Sequence, residues 1–219
     1  ESHDLGMRLG ALDDQTAQRF GYEKDEQGAL VVDLDAEGKA AEAGVDGLIA
    51  VCAGAGGHAG TYNPFAFVQE IRQFYPGTII LSGAMSTGAH VVAARAAGAD
   101  FAYLGTRFIA TTESRAPEDY KQMILAATAK DIVYTNAISG VNGNFLRASL
   151  EVAGLDPDNL VKRTGGGINI DGGGDNAKAW KEIWSAGQGI GAVKHAEPAG
   201  DYIDRLAIDY AAARAAMGL

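Results

Sequence analysis

A chain of 219 residues with net charge −10 and no basic stretch excludes a nucleic-acid backbone as partner, because such binding needs clustered Lys and Arg. Its 47% hydrophobic and 21% charged residues exclude a disordered chain, and its lone cysteine, Cys52, excludes an internal disulfide framework. No apolar run nears the roughly 18 residues of a membrane span, and Glu1-Ser2-His3-Asp4 lacks the regions of a signal peptide, so a cytoplasmic location is expected.

In chain order, Leu5 to Leu9 alternate weakly and Asp13 to Phe20 read as a short helix. Gly28 to Leu34 is a compact apolar run with the β-branched pair Val31-Val32, which predicts a strand. Ala36 to Ala43, rich in Ala, Glu and Lys, predicts a helix stopped by Gly44. A repeating pattern then begins. Strand Gly47–Cys52 leads through a glycine loop to helix Phe65–Phe74. Strand Thr78–Ser82 leads through Gly83–Gly88 to helix Ala89–Ala97. Strand Phe101–Leu104 leads through Gly105-Thr106 to helix Pro117–Ala127. Short apolar strands alternating with helices are the mark of βα units in a parallel sheet, and strands apolar throughout imply burial on both faces. After Asp131 the pattern loosens. Thr164–Gly174 is a glycine-rich loop, Ala177–Ala186 a mixed helix, and Tyr202–Met217 an amphipathic helix. Three βα units are clear, or four if Gly28–Leu34 joins them; a closed (βα)8 barrel needs at least twice as many.

Thirty glycines, about twice the usual share of roughly 7%, cluster where apolar runs end. The run Ala53-Gly54-Ala55-Gly56-Gly57-His58-Ala59-Gly60 follows a strand directly. Its glycines admit a flat ring or phosphate close to the backbone, and a histidine at that edge suits a general base near neutral pH. A loop histidine in a tight turn is the competing reading. Ser82–Gly88 lies between strand and helix, where free backbone N–H groups suit a phosphate, and Leu104-Gly105-Thr106-Arg107-Phe108 closes the next strand. Two adjacent strand ends finishing in small residues form a phosphate cup in (βα)8 enzymes. Packing alone is the competing reading for each loop.

The runs GLIAVCAGAGGHAG, TIILSGAMSTG and GADFAYLGTRFIATTES resemble the nitronate monooxygenase (2-nitropropane dioxygenase) family. YKQMI, DIVYTN, GNFLRASLEVAGLDPDNL and IWSAGQGIG continue the resemblance from about Ala40 onward. It implies an α/β fold, the C-terminal half of an FMN-binding (βα)8 barrel over residues 45–219, with a helical or loop insertion over 116–183. It implies non-covalently bound FMN and an oxidation of alkyl nitronates by oxygen. In that chemistry the flavin performs the redox step and the protein supplies orientation, a base and a dry pocket. By the same resemblance His58 matches the active-site histidine, taking the proton beside a nitro group or orienting a nitronate. Gly56 and Gly57 match close-approach glycines. Gly83 and Ala84 match a Gly-Gly pair at the phosphate, the alanine being a departure. Gly105 and Thr106 match the second phosphate strand end, Gln188 reaches flavin or substrate, and Arg107 is a structural ion-pair partner. No metal site is implied. Related members act with NAD(P)H on quinones or unsaturated acyl groups, and a flavin-binding remnant without turnover is a further alternative.

The family's N-terminal units have no counterpart here. In their place, Leu5 to Gly44 resemble the first half of a PDZ domain of HtrA-type proteases, with Leu5-Gly6-Met7-Arg8 where a peptide carboxylate binds. The two resemblances meet at Lys39–Gly44, so the expected domains are a PDZ-like fragment over 1–44 and the half barrel over 45–219. An open half barrel leaves edges unpaired and apolar surface exposed, which predicts a homodimer that completes the barrel.

Overall fold

The computed structural model describes the backbone of residues 7–11 and 29–34, and residues 45–161 and 183–219 in full. The expected helices Asp13–Phe20 and Ala36–Ala43 and the loop Thr164–Gly174 lie outside those residues.

Strands β1 (Met7–Ala11) and β2 (Ala29–Leu34) pair antiparallel in a sheet of their own. The strand expected at Gly28–Leu34 is therefore present, but it does not extend the parallel sheet. That sheet consists of β3 (Gly47–Val51), β5 (Thr78–Ser82) and β6 (Phe101–Tyr103), in the order β3-β5-β6. Its register sets Ile49 beside Ile80 beside Phe101, and Val51 beside Ser82 beside Tyr103. All three strands thus end at one edge, where parallel α/β sheets take their ligands.

Helix α1 (Pro64–Phe74) begins where the Asn63 carboxamide accepts the Phe65 N–H at 3.0 Å, with proline in the first turn, where its missing N–H costs no hydrogen bond. It lays Phe67, Val68 and Ile71 on Leu48, Ala50, Ile79 and Leu81 in one buried cluster. Each such side chain taken fully out of water contributes roughly 1.5–3 kcal/mol. Helix α2 (Gly88–Ala96) starts from Thr87, whose hydroxyl oxygen accepts the His90 N–H at 3.3 Å. The long C-terminal helix, α6 (Ala199–Ala216), crosses it at Gly88. A Cβ at Gly88 would lie 2.1 Å from the Tyr210 nitrogen, so only glycine allows this backbone-to-backbone contact.

Burial on both faces of the parallel strands is not what the structure shows. Leu48, Ala50, Ile79 and Leu81 are buried under the helices, whereas Ile49, Val51, Ile80 and Ser82 on the opposite face are only half-buried. On β6, Phe101 and Tyr103 are 60% and 56% exposed. Apolar composition marked the strands correctly, but the second face is only partly covered: β2 lies close to β3, while β6 presents Phe101 and Tyr103 to solvent.

The segment 116–183 is not only helical or looped. After α3 (Thr106–Ile109) and α4 (Glu118–Ala126) comes a second sheet, antiparallel, of β4 (Gly57–His58), β8 (Gly143–Leu146) and β7 (Ile132–Thr135), followed by α5 (Arg147–Val152). The helix expected over Ala177–Ala186 falls largely outside the described residues. Its last part is extended instead: Ser185 bridges Phe145, and the Trp184 carbonyl accepts the Leu146 N–H at 2.9 Å.

Candidate active site

An open cleft of about 230 Å3, continuous with solvent, lies at the C-terminal edge of the parallel sheet. Its walls include Ala55 and Gly56 from the turn after β3, Ser82 to Met85 after β5, and Tyr103, Gly105 and Thr106 after β6. Ser185, Gly187 and Gly189, from far along the chain, close the other side. Its position at this edge, with polar and apolar groups from several turns converging on it, suits a small organic ligand. Gly56, Gly83, Ala84, Gly105 and Thr106 are thus brought together. Gly57, His58 and Gln188 do not form its wall, and the three small residues at 185, 187 and 189 carried no signal beyond their place in the IWSAGQGIG run.

Several glycines serve loop-to-loop packing. A Cβ at Gly56 would sit 2.8 Å from the Gly187 nitrogen, and one at Gly187 would sit 2.8 Å from the Gly54 carbonyl oxygen. The close approach at Gly56 is thus to protein backbone. The Gly54 carbonyl accepts the Gln188 N–H at 2.8 Å and the Ala84 N–H at 3.3 Å, which ties the three turns into one layer. The Gln188 side chain lies against Gly54. Thr106 Oγ1 accepts the Gly187 N–H at 2.9 Å, leaving its own hydroxyl proton for another acceptor. The Ala84 N–H is engaged, but those of Met85 and Gly105 donate to no described residue, and a Cβ at Gly105 would meet only open space.

Ala84 holds φ +56°, the one described non-glycine residue in left-handed backbone. This geometry costs an L-residue roughly 1–2 kcal/mol, partly offset in comparison with glycine by glycine's looser unfolded state. Ala84→Gly is expected to raise stability by up to about 1 kcal/mol, read as a shift in the urea midpoint with an unchanged slope.

Longer-range contacts hold the cleft. Asn144, fully buried on β8, donates its amide to the Ala55 carbonyl at 2.6 Å. Tyr120 stacks on Trp184 at 4.9 Å and donates to the Ser185 carbonyl, with burial pushing its phenol up to about 12. Arg107, one residue beyond the cleft wall, is 2% exposed and pairs with Glu197, as an ion-pair role requires. Glu197 also takes Arg205, and the Arg107 guanidinium lies 4.6 Å over the Tyr202 ring. These contacts pin α3 to α6.

His58 lies on β4, next to Gly57, opposite Gly143 of β8. It is half-buried, with Nε2 3.2 Å from Ser139 Oγ, and burial holds its imidazolium below the ordinary value of 6.5. Burial thus favours the neutral ring, the state a base requires. Cys52, buried at the end of β3 with its thiol pushed up to about 12 by burial, is a core residue. No cluster of metal-ligating side chains occurs among the described residues.

A parallel α/β sheet with a cleft at its C-terminal edge defines a ligand-binding protein of the βα class. The sequence profile of the nitronate monooxygenase family matches residues 27–209, and the chain belongs to that family. The match takes in β2, upstream of the Ala40 where the motif resemblance begins, so part of the segment that resembles a PDZ domain lies within the family's own span. A nitronate monooxygenase from Paraburkholderia phytofirmans is 33% identical over 138 residues, covering 59% of this chain and 38% of that protein. A nitroalkane oxidase from Streptomyces ansochromogenes superposes with TM-score 0.59 at 26% identity, covering 80% of this chain and 55% of that one. FabK from Thermotoga maritima, at 24% identity and TM-score 0.61 over 80% of this chain and 58% of its own, shares the fold. The chain spans little more than half of these structures and less than half of its curated relative. No described helix is long and apolar enough to cross a membrane.

Proposed function

We propose that the protein is an FMN-dependent oxidoreductase that oxidises alkyl nitronates with oxygen. The observation that carries this reading is the cleft itself: β5 and β6 lie side by side in parallel register, and the small-residue turns after both share one wall. The residues present fit an FMN phosphate. Gly105 leaves its space open, the N–H groups of Gly105 and Met85 are available as donors, and the Thr106 hydroxyl proton is unspent. Gly83 and Ala84 complete that end as small wall residues, while Gly56, Ala55 and Ser185 bound the part of the cleft left for the flavin ring. Gln188 supports Gly54 from behind. When bound, the flavin supplies the redox chemistry. His58 does not line the cleft itself; it stands half-buried on β4, two residues beyond the wall residue Gly56, and from there accepts the proton next to a nitro group or orients a nitronate. The family match, the 33% identical nitronate monooxygenase and the likeness to the nitroalkane oxidase support a nitro substrate. The test is oxygen uptake: protein reconstituted with FMN consumes oxygen when an alkyl nitronate is added, and the flavin-free protein does not. Uptake independent of added FMN, or none after reconstitution, removes the reading.

The sheet's open face bears on assembly. Ile49, Ile80 and Phe101 form one apolar row and Tyr103 extends the next, with the β6 side chains mostly in solvent. A second copy of the chain, placing the same face against it, buries this row in a symmetric dimer, although two three-stranded parallel sheets supply six strands and not the eight of a closed (βα)8 barrel. Light scattering is expected to give twice the mass of one chain, and Phe101→Glu is expected to return a folded monomer. A wild-type monomer contradicts the assembly. A cytoplasmic location completes the proposal, in keeping with a lone, buried thiol.

A further inference from the structure

We infer that Ser139 is a positioning residue for His58, holding the ring as the Nε2–H tautomer so that Nδ1 is the nitrogen able to accept a proton. The inference deepens the base role proposed for His58 and rests on it for its functional meaning, though not for its geometry.

Ser139 is 8% exposed, and its Oγ has two neighbours: the Val141 carbonyl oxygen at 2.9 Å and His58 Nε2 at 3.2 Å. A hydroxyl carries one proton. A carbonyl oxygen only accepts, so the shorter contact uses that proton, and Oγ turns a lone pair toward the imidazole. Nε2 then bears hydrogen. A neutral imidazole has one N–H, so the lone pair is on Nδ1.

The surrounding backbone supports this arrangement. His58 faces Gly143 across the β4–β8 ladder, and the Ala59 N–H donates to the Asn142 carbonyl at 3.3 Å. The Tyr134 hydroxyl donates to the Ala59 carbonyl at 3.1 Å from β7. The turn that carries Ser139 is thus tied to the strand that carries His58, and the ring and its partner move as one unit. A serine 81 residues away sets which nitrogen is basic.

Protein labelled with 15N-histidine has four histidines to resolve, and His58→Gln assigns the ring in question by its loss. Long-range 15N–1H correlation near pH 7 is expected to show a pyrrole-type Nε2 and a pyridine-type Nδ1 for His58. In Ser139→Ala the two nitrogens are expected to move toward averaged shifts as both tautomers populate, and Ser139→Thr, which keeps the hydroxyl, is expected to restore the wild-type pattern. A pyrrole-type Nδ1 in the wild type overturns the inference even if the alanine variant does not fold. Unchanged shifts in a folded Ser139→Ala overturn it as well. Neither reading needs flavin or turnover, so a protein that shows the expected tautomer yet oxidises no nitronate refutes the proposed function and leaves the Ser139 assignment standing.

Discussion

Glu197→Ala is expected to lose about 3–5 kcal/mol of stability, the usual cost of leaving a buried charge without its partner. Glu197 is the carboxylate that faces Arg107, and Arg107 is almost wholly shielded from water. Arg205, also paired with Glu197, is 41% exposed at its side chain and can turn to solvent when the carboxylate is gone. Arg107 has no such escape. Its other contacts, the Ala110 carbonyl at 3.4 Å and the face of Tyr202, do not neutralise it. Against a typical total stability of roughly 5–15 kcal/mol, the loss is large. It should appear in chemical denaturation as a midpoint shift. The double variant Arg107→Met with Glu197→Met is expected to recover much of it, since apolar side chains can replace a buried pair with little loss. If the single variant falls by less than 1 kcal/mol, the pair does not hold α3 to α6.

His58→Ala is expected to lower kcat/KM for a neutral nitroalkane by about 10²–10⁴-fold, the contribution of a positioned general base. A preformed nitronate needs no proton removed, so the same variant is expected to lose far less on it. The acid limb of the nitroalkane profile should lie below the ordinary histidine value of 6.5, because burial disfavours the charged ring; the base is lost as pH falls through that lowered value. Equal losses on the two substrates assign His58 to binding alone.

Much of the parallel part was legible because its signals are local. Thr78–Ser82 is a strand as read, and Pro64–Phe74, Gly88–Ala96 and Ala199–Ala216 lie within a few residues of the expected helices. The β7–β8 pair was not legible. Each strand has only four residues, and the seven residues between them match no short hairpin turn. The strand Gly28–Leu34 was legible as an element, but its pairing with β1 was not, since composition does not choose a partner. At the site, the glycine turns after β5 and β6 announced themselves by position. Their role was harder to read: a glycine at 56 serves packing against Gly187 as well as any ligand, and sequence does not separate the two. Asn144, Ser139 and Glu197 act on residues more than 80 positions away, so no window along the chain could reveal them.

Titration of the flavin-free protein with FMN and with riboflavin, which lacks only the phosphate, tests the cup most directly. FMN is expected to bind more tightly by at least about tenfold, the value of roughly one charge-assisted hydrogen bond. Gly105→Asp, which points a carboxylate into open space without disturbing the fold, is expected to erase that preference. Equal affinity for the two flavins in the wild type, or a preference that survives Gly105→Asp, contradicts a phosphate held by the ends of β5 and β6.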